Sequence, residues 1–132
     1  MESIESNISF IIYGDINENE IEKFNELQKY GEVRFRKKGD IISCALPAVE
    51  RDMVSFTYKL SEQMEELNFF CKIVESLNIS KYKQKGYKVC LRLYIQSDYA
   101  QIQFCLPNKI LQMIEKLKLD LDISILSWGG ID

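Results

Sequence analysis

The 132 residues contain no histidine, and that absence decides much of the chemistry. No Ser-His-Asp or Cys-His arrangement can form, so acid–base work would fall to Asp, Glu, Tyr, Lys or Cys. The four cysteines, Cys44, Cys71, Cys90 and Cys105, include no CxxC pair, and each lies in a hydrophobic segment. Structural zinc needs closely spaced Cys and His ligands, so no metal is expected. The four thiols read as buried, small apolar side chains. A cysteine nucleophile would need a neighbouring base or cation to lower its pKa. No P-loop or GxGxxG run is present, and the six glycines form no phosphate-cradling cluster. No catalytic residue and no cofactor is nominated.

Several residues remain as candidates for binding. Tyr13, Gly14 and Asp15 in "ISFIIYGDINENEIEKF" stand between a hydrophobic strand and an acidic helix. They read either as a polar pocket at the sheet end or as a turn followed by a helix-start acid. Arg34 and Arg36, with Lys37 and Lys38, would meet an acidic partner or a phosphate, or would protect an edge hairpin by charge. Arg92 and Tyr94 face away from an apolar stripe and would meet Gln101 and Gln103 across a hairpin, as a polar binding face or as ordinary cross-strand pairs. Asp120 and Asp122 share a strand face and read as solvated acids or as contacts for a metal or a basic partner. Trp128 is either an interface anchor or a cover for one end of the core.

The elements that must hold these residues follow from periodicity. Ile8–Tyr13 reads as a strand with Phe10 and Ile12 on one face and Ser9 and Ile11 on the other, both faces partly covered. Asn17 and Glu20 have capping-box spacing, Glu18 and Glu20 suit a first helical turn, and Ile21, Phe24 and Leu27 form a stripe before a stop at Gly31. "EVRFRKKGDIISCAL" reads as a hairpin with Ile41–Leu46 returning, and "MVSFTYKL" as another strand. "SEQMEELNFFCKIVESLN" is the strongest helix, capped by Ser61, with Met64, Leu67, Phe70, Cys71, Val74 and Leu77 inward. "NISKYKQKG" reads as a lysine-rich loop. "YKVCLRLYI" and "YAQIQFCL" read as a strand pair, the second presenting Gln101 and Gln103 on a wet face. Pro107 opens a helix with Ile110, Met113, Ile114 and Leu117 buried, and "LDLDISIL" closes as a strand with Leu121, Ile123 and Ile125 inward.

The order β-α-β-β-β-α-β-β-α-β predicts one α+β domain over residues 1–132, a mostly antiparallel sheet with three helices on one face. The two halves resemble each other faintly. Length suits one sizeable core, and the hydrophobic and charged fractions, 46% and 28%, are those of a globular protein. A net charge of −3 argues against a general nucleic-acid binder. The acidic start "MESIESN" lacks the features of a signal peptide, and no apolar run approaches the ~20 residues that span a bilayer, so no membrane role and a cytoplasmic location are expected.

The start "ISFIIYGDINENEIEKF", the "FRKKGD" hairpin, the middle helix and the end "LRLYIQSDYAQIQFCLPNKILQMIEKLKLDLDISIL" together resemble the bacterial family filed as domain of unknown function 4279. The resemblance covers nearly the whole chain and rests on structural punctuation. It departs where the first helix runs directly into "QKYGEV" without a Leu-Gly-x-x-Pro type of ending. It implies a compact bacterial α+β domain and transfers no catalytic residue.

Two functional classes stand open. One is a non-enzymatic protein-binding module, in its most concrete form an immunity protein whose acidic surface meets a basic toxin. The other is a small-ligand sensor or enzyme, with Tyr13, Asp15, Arg92 and Tyr94 converging in a pocket at the sheet end.

Overall fold

Period-two alternation builds one five-stranded sheet. The computed structural model of the chain describes residues 4–17, 19, 22–41, 44, 47–60, 66–97 and 105–127. Strands β1 (Ile4–Gly14), β2 (Glu32–Arg36), β3 (Asp52–Leu60), β4 (Lys88–Ser97) and β5 (Asp120–Ser127) lie in the order β2-β3-β1-β4-β5. β1 is central and pairs antiparallel with β3 and β4; β2 pairs antiparallel with β3. β5 runs parallel to β4, which requires the crossover that the helix between them supplies. The fold is thus α+β with a mostly antiparallel sheet and one parallel pair.

Among the described residues four helices supply the second layer: α1 (Glu22–Glu26), continued by a 3-10 turn at Leu27–Lys29, then α2 (Leu67–Glu75), α3 (Ile79–Gln84) and α4 (Asn108–Leu117). Phe24, Phe70, Tyr82, Ile110 and Met113 from these helices join Ile8, Phe10, Phe56, Leu91 and Leu93 of the sheet in one buried cluster. Phe10 stacks on Phe24 with ring centroids 5.7 Å apart, and Phe56 on Phe70 at 6.0 Å. Each such ring contributes on the order of 2 kcal/mol by leaving water, which is what holds helices as short as α1 in place. Gly31, where α1's continuation stops, lets the chain pass tightly against β3, since a Cβ there would lie 2.9 Å from the Phe56 ring. Among the described residues no helix is long and apolar enough to cross a membrane.

The structure corrects several expectations. The "KKGD" turn forms, with Gly39 at φ +94° and the Lys37 amide donating to Asp40 Oδ2 at 2.7 Å. The strand that pairs with β2 is nevertheless β3; of the expected returning strand, Ile41 and Cys44 lie outside any strand, with Ile41 76% exposed, and residues 42, 43, 45 and 46 lie outside the described residues. β3 wins because its alternation supplies the partners that Val33 and Phe35 need, Phe56 and Val54. The lysine-rich loop contains helix α3, fastened by the buried pair Ile79 and Tyr82 one helical turn apart. Asn78, at φ 49°, makes the left-handed break that separates α3 from α2. Ile123 and Ile125 face the helix side of β5 yet stay 46% and 53% exposed, because the sheet ends there. Cys71 and Cys90 are buried as expected, but Cys44 and Cys105 are exposed. Asn17 Oδ1 accepts from the Asn19 amide at 3.0 Å, a local side-chain turn ahead of α1. Its proposed partner Glu20, the cap Ser61 with Met64, and Trp128 lie outside the described residues. So does most of the expected strand 99–106, including Gln101 and Gln103. β4 pairs with β1 and β5 along its length, so these two strands flank Arg92 and Tyr94.

Candidate binding face and cleft

Strand alternation leaves a second face that none of the described helices covers, and the register sorts its side chains into rows. The first row runs Arg36, Met53, Tyr13, Lys88. The next is Arg34, Ser55, Ile11, Cys90, Asp120. A third is Glu32, Thr57, Ser9, Arg92, Asp122, and a fourth is Lys59, Asn7, Tyr94, Ser124. Tyr13, Arg34, Arg36, Arg92 and Tyr94 therefore share one face. The second row is the driest: Ile11 and Cys90 are each 3% exposed, matching the reading that both faces of β1 are covered.

Cross-strand polar contacts tie the rows together. Ser9 Oγ and Thr57 Oγ1 are 2.8 Å apart, and Arg34 Nε donates to Glu32 on its own strand. Arg92 Nη2 lies 3.5 Å from the Tyr13 hydroxyl and 4.0 Å from Asp122 Oδ2. Burial pushes the Tyr13 phenol above its ordinary value, reinforced by the negative charge that Cys90 would carry and opposed by Arg92. Burial likewise raises the Cys90 thiol, with Asp122 adding to it and Arg92 opposing. At neutral pH the phenol and thiol are both protonated, so Tyr13 is a hydrogen-bond donor and Cys90 is not an activated nucleophile.

A cleft of about 580 Å³ opens at the Tyr13 end of this face. Its floor is Tyr13, Met53, Lys88, Cys90, Arg92 and Asp122 of the sheet, and its wall is Pro47, Val49, Glu50 and Arg51. The wall is held by main-chain bonds: the Gly39 amide donates to Val49 O at 2.7 Å, and the Val49 amide to Asp40 O at 2.9 Å. The Lys38 amide also donates to Asp52 Oδ1 at 2.9 Å, fixing the loop to the start of β3.

Asp15 lies in a neighbouring recess with Arg51, Lys85, Gly86 and Tyr87. The Tyr87 hydroxyl donates to Asp15 O at 3.1 Å, and its ring sits where a side chain at position 14 would be. Gly14 is thus needed for packing, and Asp15 stands one recess away from Tyr13 and Arg92. Tyr94 lies along the face in a hollow with Asn7, Thr57 and Lys59, its hydroxyl donating to Gln96 Oε1 at 3.1 Å. Of the four side chains expected to converge, Tyr13 and Arg92 do, while Asp15 and Tyr94 do not. Arg34 and Arg36 share the face without lining the cleft. Residues that sequence reasoning missed are Lys88, Arg51 and Glu50. Lys88 carried a signal, its alternation with Arg92 on β4; the loop residues carried none.

No family model, curated protein or solved structure matches the chain.

Proposed function

We propose that the protein is a non-enzymatic binding module that contacts a partner protein through the sheet face opposite the described helices. The observation that carries this reading is the register, which gathers Tyr13, Arg34, Arg36, Arg92 and Tyr94 on one surface. The face is polarised: Arg34 and Arg36 stand on β2 at one edge, Asp120 and Asp122 on β5 at the other. With strands ~4.8 Å apart, these flanks are roughly 19 Å from each other, wide enough to orient a partner by charge. Protonated Tyr13 and Cys90 fit recognition better than bond-making. A basic partner, such as a toxin with a cationic active site, would meet the β5 flank.

A photo-crosslinking residue at Tyr94 tests the reading against the same residue at Lys72, exposed on α2. A partner captured from Tyr94 alone, with submicromolar affinity that Asp122→Lys and Arg34→Glu each weaken about tenfold or more, supports it. Equal capture from both positions, or no partner tighter than micromolar, counts against it.

A further inference from the structure

Beyond the protein-partner reading and independent of it, we propose that the cleft under residues 47–51 binds an organic monoanion, a carboxylate carried on an apolar body. Three cations, Arg51, Lys88 and Arg92, line the cleft against two carboxylates, Glu50 and Asp122, in a chain whose net charge is −3. A positive cleft in an acidic protein calls for a local reason.

The cations are also poorly satisfied. Arg92 reaches Tyr13 at 3.5 Å and Asp122 at 4.0 Å, both well beyond the ~2.7–2.9 Å of a charge-assisted hydrogen bond. Both contacts are made by Nη2, so the guanidinium fork keeps donors to give to a bidentate carboxylate. The side chains of Arg51 and Lys88 make no hydrogen bond or ion pair among the described residues. The Tyr13 hydroxyl adds a neutral donor.

The charge balance selects the class of anion. One negative charge neutralises the cleft, whereas a dianion such as a phosphate monoester would add a surplus charge beside Asp122 and Glu50. An ammonium would face three cations. Met53, Val49, Pro47 and the Tyr13 ring give the apolar surface for the ligand's body, and about 580 Å³ lies within the range of small-molecule sites. The carboxylate could belong to a free small acid or to the C-terminal residue of a peptide.

Titration of the full chain with 4-phenylbutyrate, 4-phenylbutanol, 4-phenylbutylamine and phenyl phosphate tests this, by calorimetry and by amide NMR shifts. The acid should bind about tenfold or more tighter than the alcohol and the phosphate, with shifts centred on Tyr13, Val49, Met53 and Cys90; the amine should not bind. Arg92→Gln should weaken the acid about tenfold. Arg51→Gln, on an exposed loop where folding is not at stake, should weaken it about threefold with an unchanged melting temperature. Acetyl-Gly-Phe as acid and as amide separates the two sources. Tighter binding of the peptide acid than of phenylbutyrate identifies a chain terminus, while its exclusion identifies a free acid. Equal binding of acid and alcohol, no shifts up to about 10 mM, or full affinity in both arginine variants overturns the proposal.

Discussion

Gly14→Ala should be one of the most damaging small substitutions in the chain, although it adds a single methyl group. Gly14 ends β1 at φ +155°, a conformation costly to an L side chain. A Cβ there would overlap Tyr87 Cδ1 and lie 3.1 Å from Cε1. The ring cannot simply swing aside, because its hydroxyl is bound to Asp15 O and its face lies 6.2 Å from the Tyr82 ring in the core. Backbone strain of about 1–3 kcal/mol and overpacking of about 1–3 kcal/mol act together, partly relaxed, for about 2–4 kcal/mol. In a domain of this size that lowers Tm by about 7–14 °C. Thermal and urea unfolding of Gly14→Ala, Tyr87→Ala and the double variant separate the two parts. In the Tyr87→Ala background the glycine substitution should cost about 1–2 kcal/mol less, because only the backbone strain remains. A Gly14→Ala protein within about 0.5 kcal/mol of the parent would refute the packing role assigned to this glycine. An equal cost in both backgrounds would refute the contact with Tyr87.

Burial, with Glu75 adding to it, raises the Cys71 thiol to about 11 from an ordinary 9.0. A raised folded-state pKa gives stability that is complete below pH 9 and lost as pH climbs towards about 11, on the order of 2 kcal/mol. Cys71→Ala should therefore flatten the alkaline limb of a pH–stability curve while lowering its plateau. Labelling with iodoacetamide at mild alkaline pH should modify Cys44 and Cys105 first and leave Cys71 and Cys90 slow by about a hundredfold or more, read by peptide mass mapping. Tyrosinate titration, with Tyr13→Phe as the difference reference, should place Tyr13 above the ordinary phenol; Arg92→Gln should move it further up and Asp122→Asn back down. Lys83 Nζ donates to Leu117 O at 3.0 Å and Lys118 O at 2.7 Å, the open carbonyls at the end of α4. Lys83→Met should cost about 0.5–1 kcal/mol in urea unfolding.

How much was legible in the sequence depended on where the information sat. β4 was readable because Val89, Leu91, Leu93 and Ile95 alternate with Lys88, Cys90, Arg92 and Tyr94, and both the strand and its two faces follow from that pattern. The stripes of α2 and α4 were readable for the same local reason. The partner of β2 was not. Residues 41–46 and β3 both offer apolar alternation, and nearness in the chain favours the former, whereas β2 pairs with β3. What places β3 beside β2 is tertiary: Phe56 and Val54 complete a core with Phe70. α3 escaped notice because its burial rests on Ile79 and Tyr82 alone, too few for a periodic signal in a run of lysines.

The candidate site divides along the same line. Alternation alone put Tyr13, Arg92 and Tyr94 on outward positions of their strands, but it could not say that Tyr13 and Arg92 would meet while Tyr94 stood apart. That follows from register. β1 and β4 pair Tyr13 with Lys88 and Ser9 with Arg92, so Arg92 can reach back over Cys90 to the tyrosine, whereas Tyr94 pairs with Asn7 still further along. The cleft wall required more again. Val49 reaches the sheet through two main-chain bonds to residues 39 and 40, and Arg51 follows it onto the face. Backbone bonds carry no side-chain signature, so no residue type at 47–51 announces its role. The cleft's charge is consequently a property of the fold: Arg51 from the loop joins Lys88 and Arg92 from the sheet, and only their meeting makes that end of an acidic protein positive.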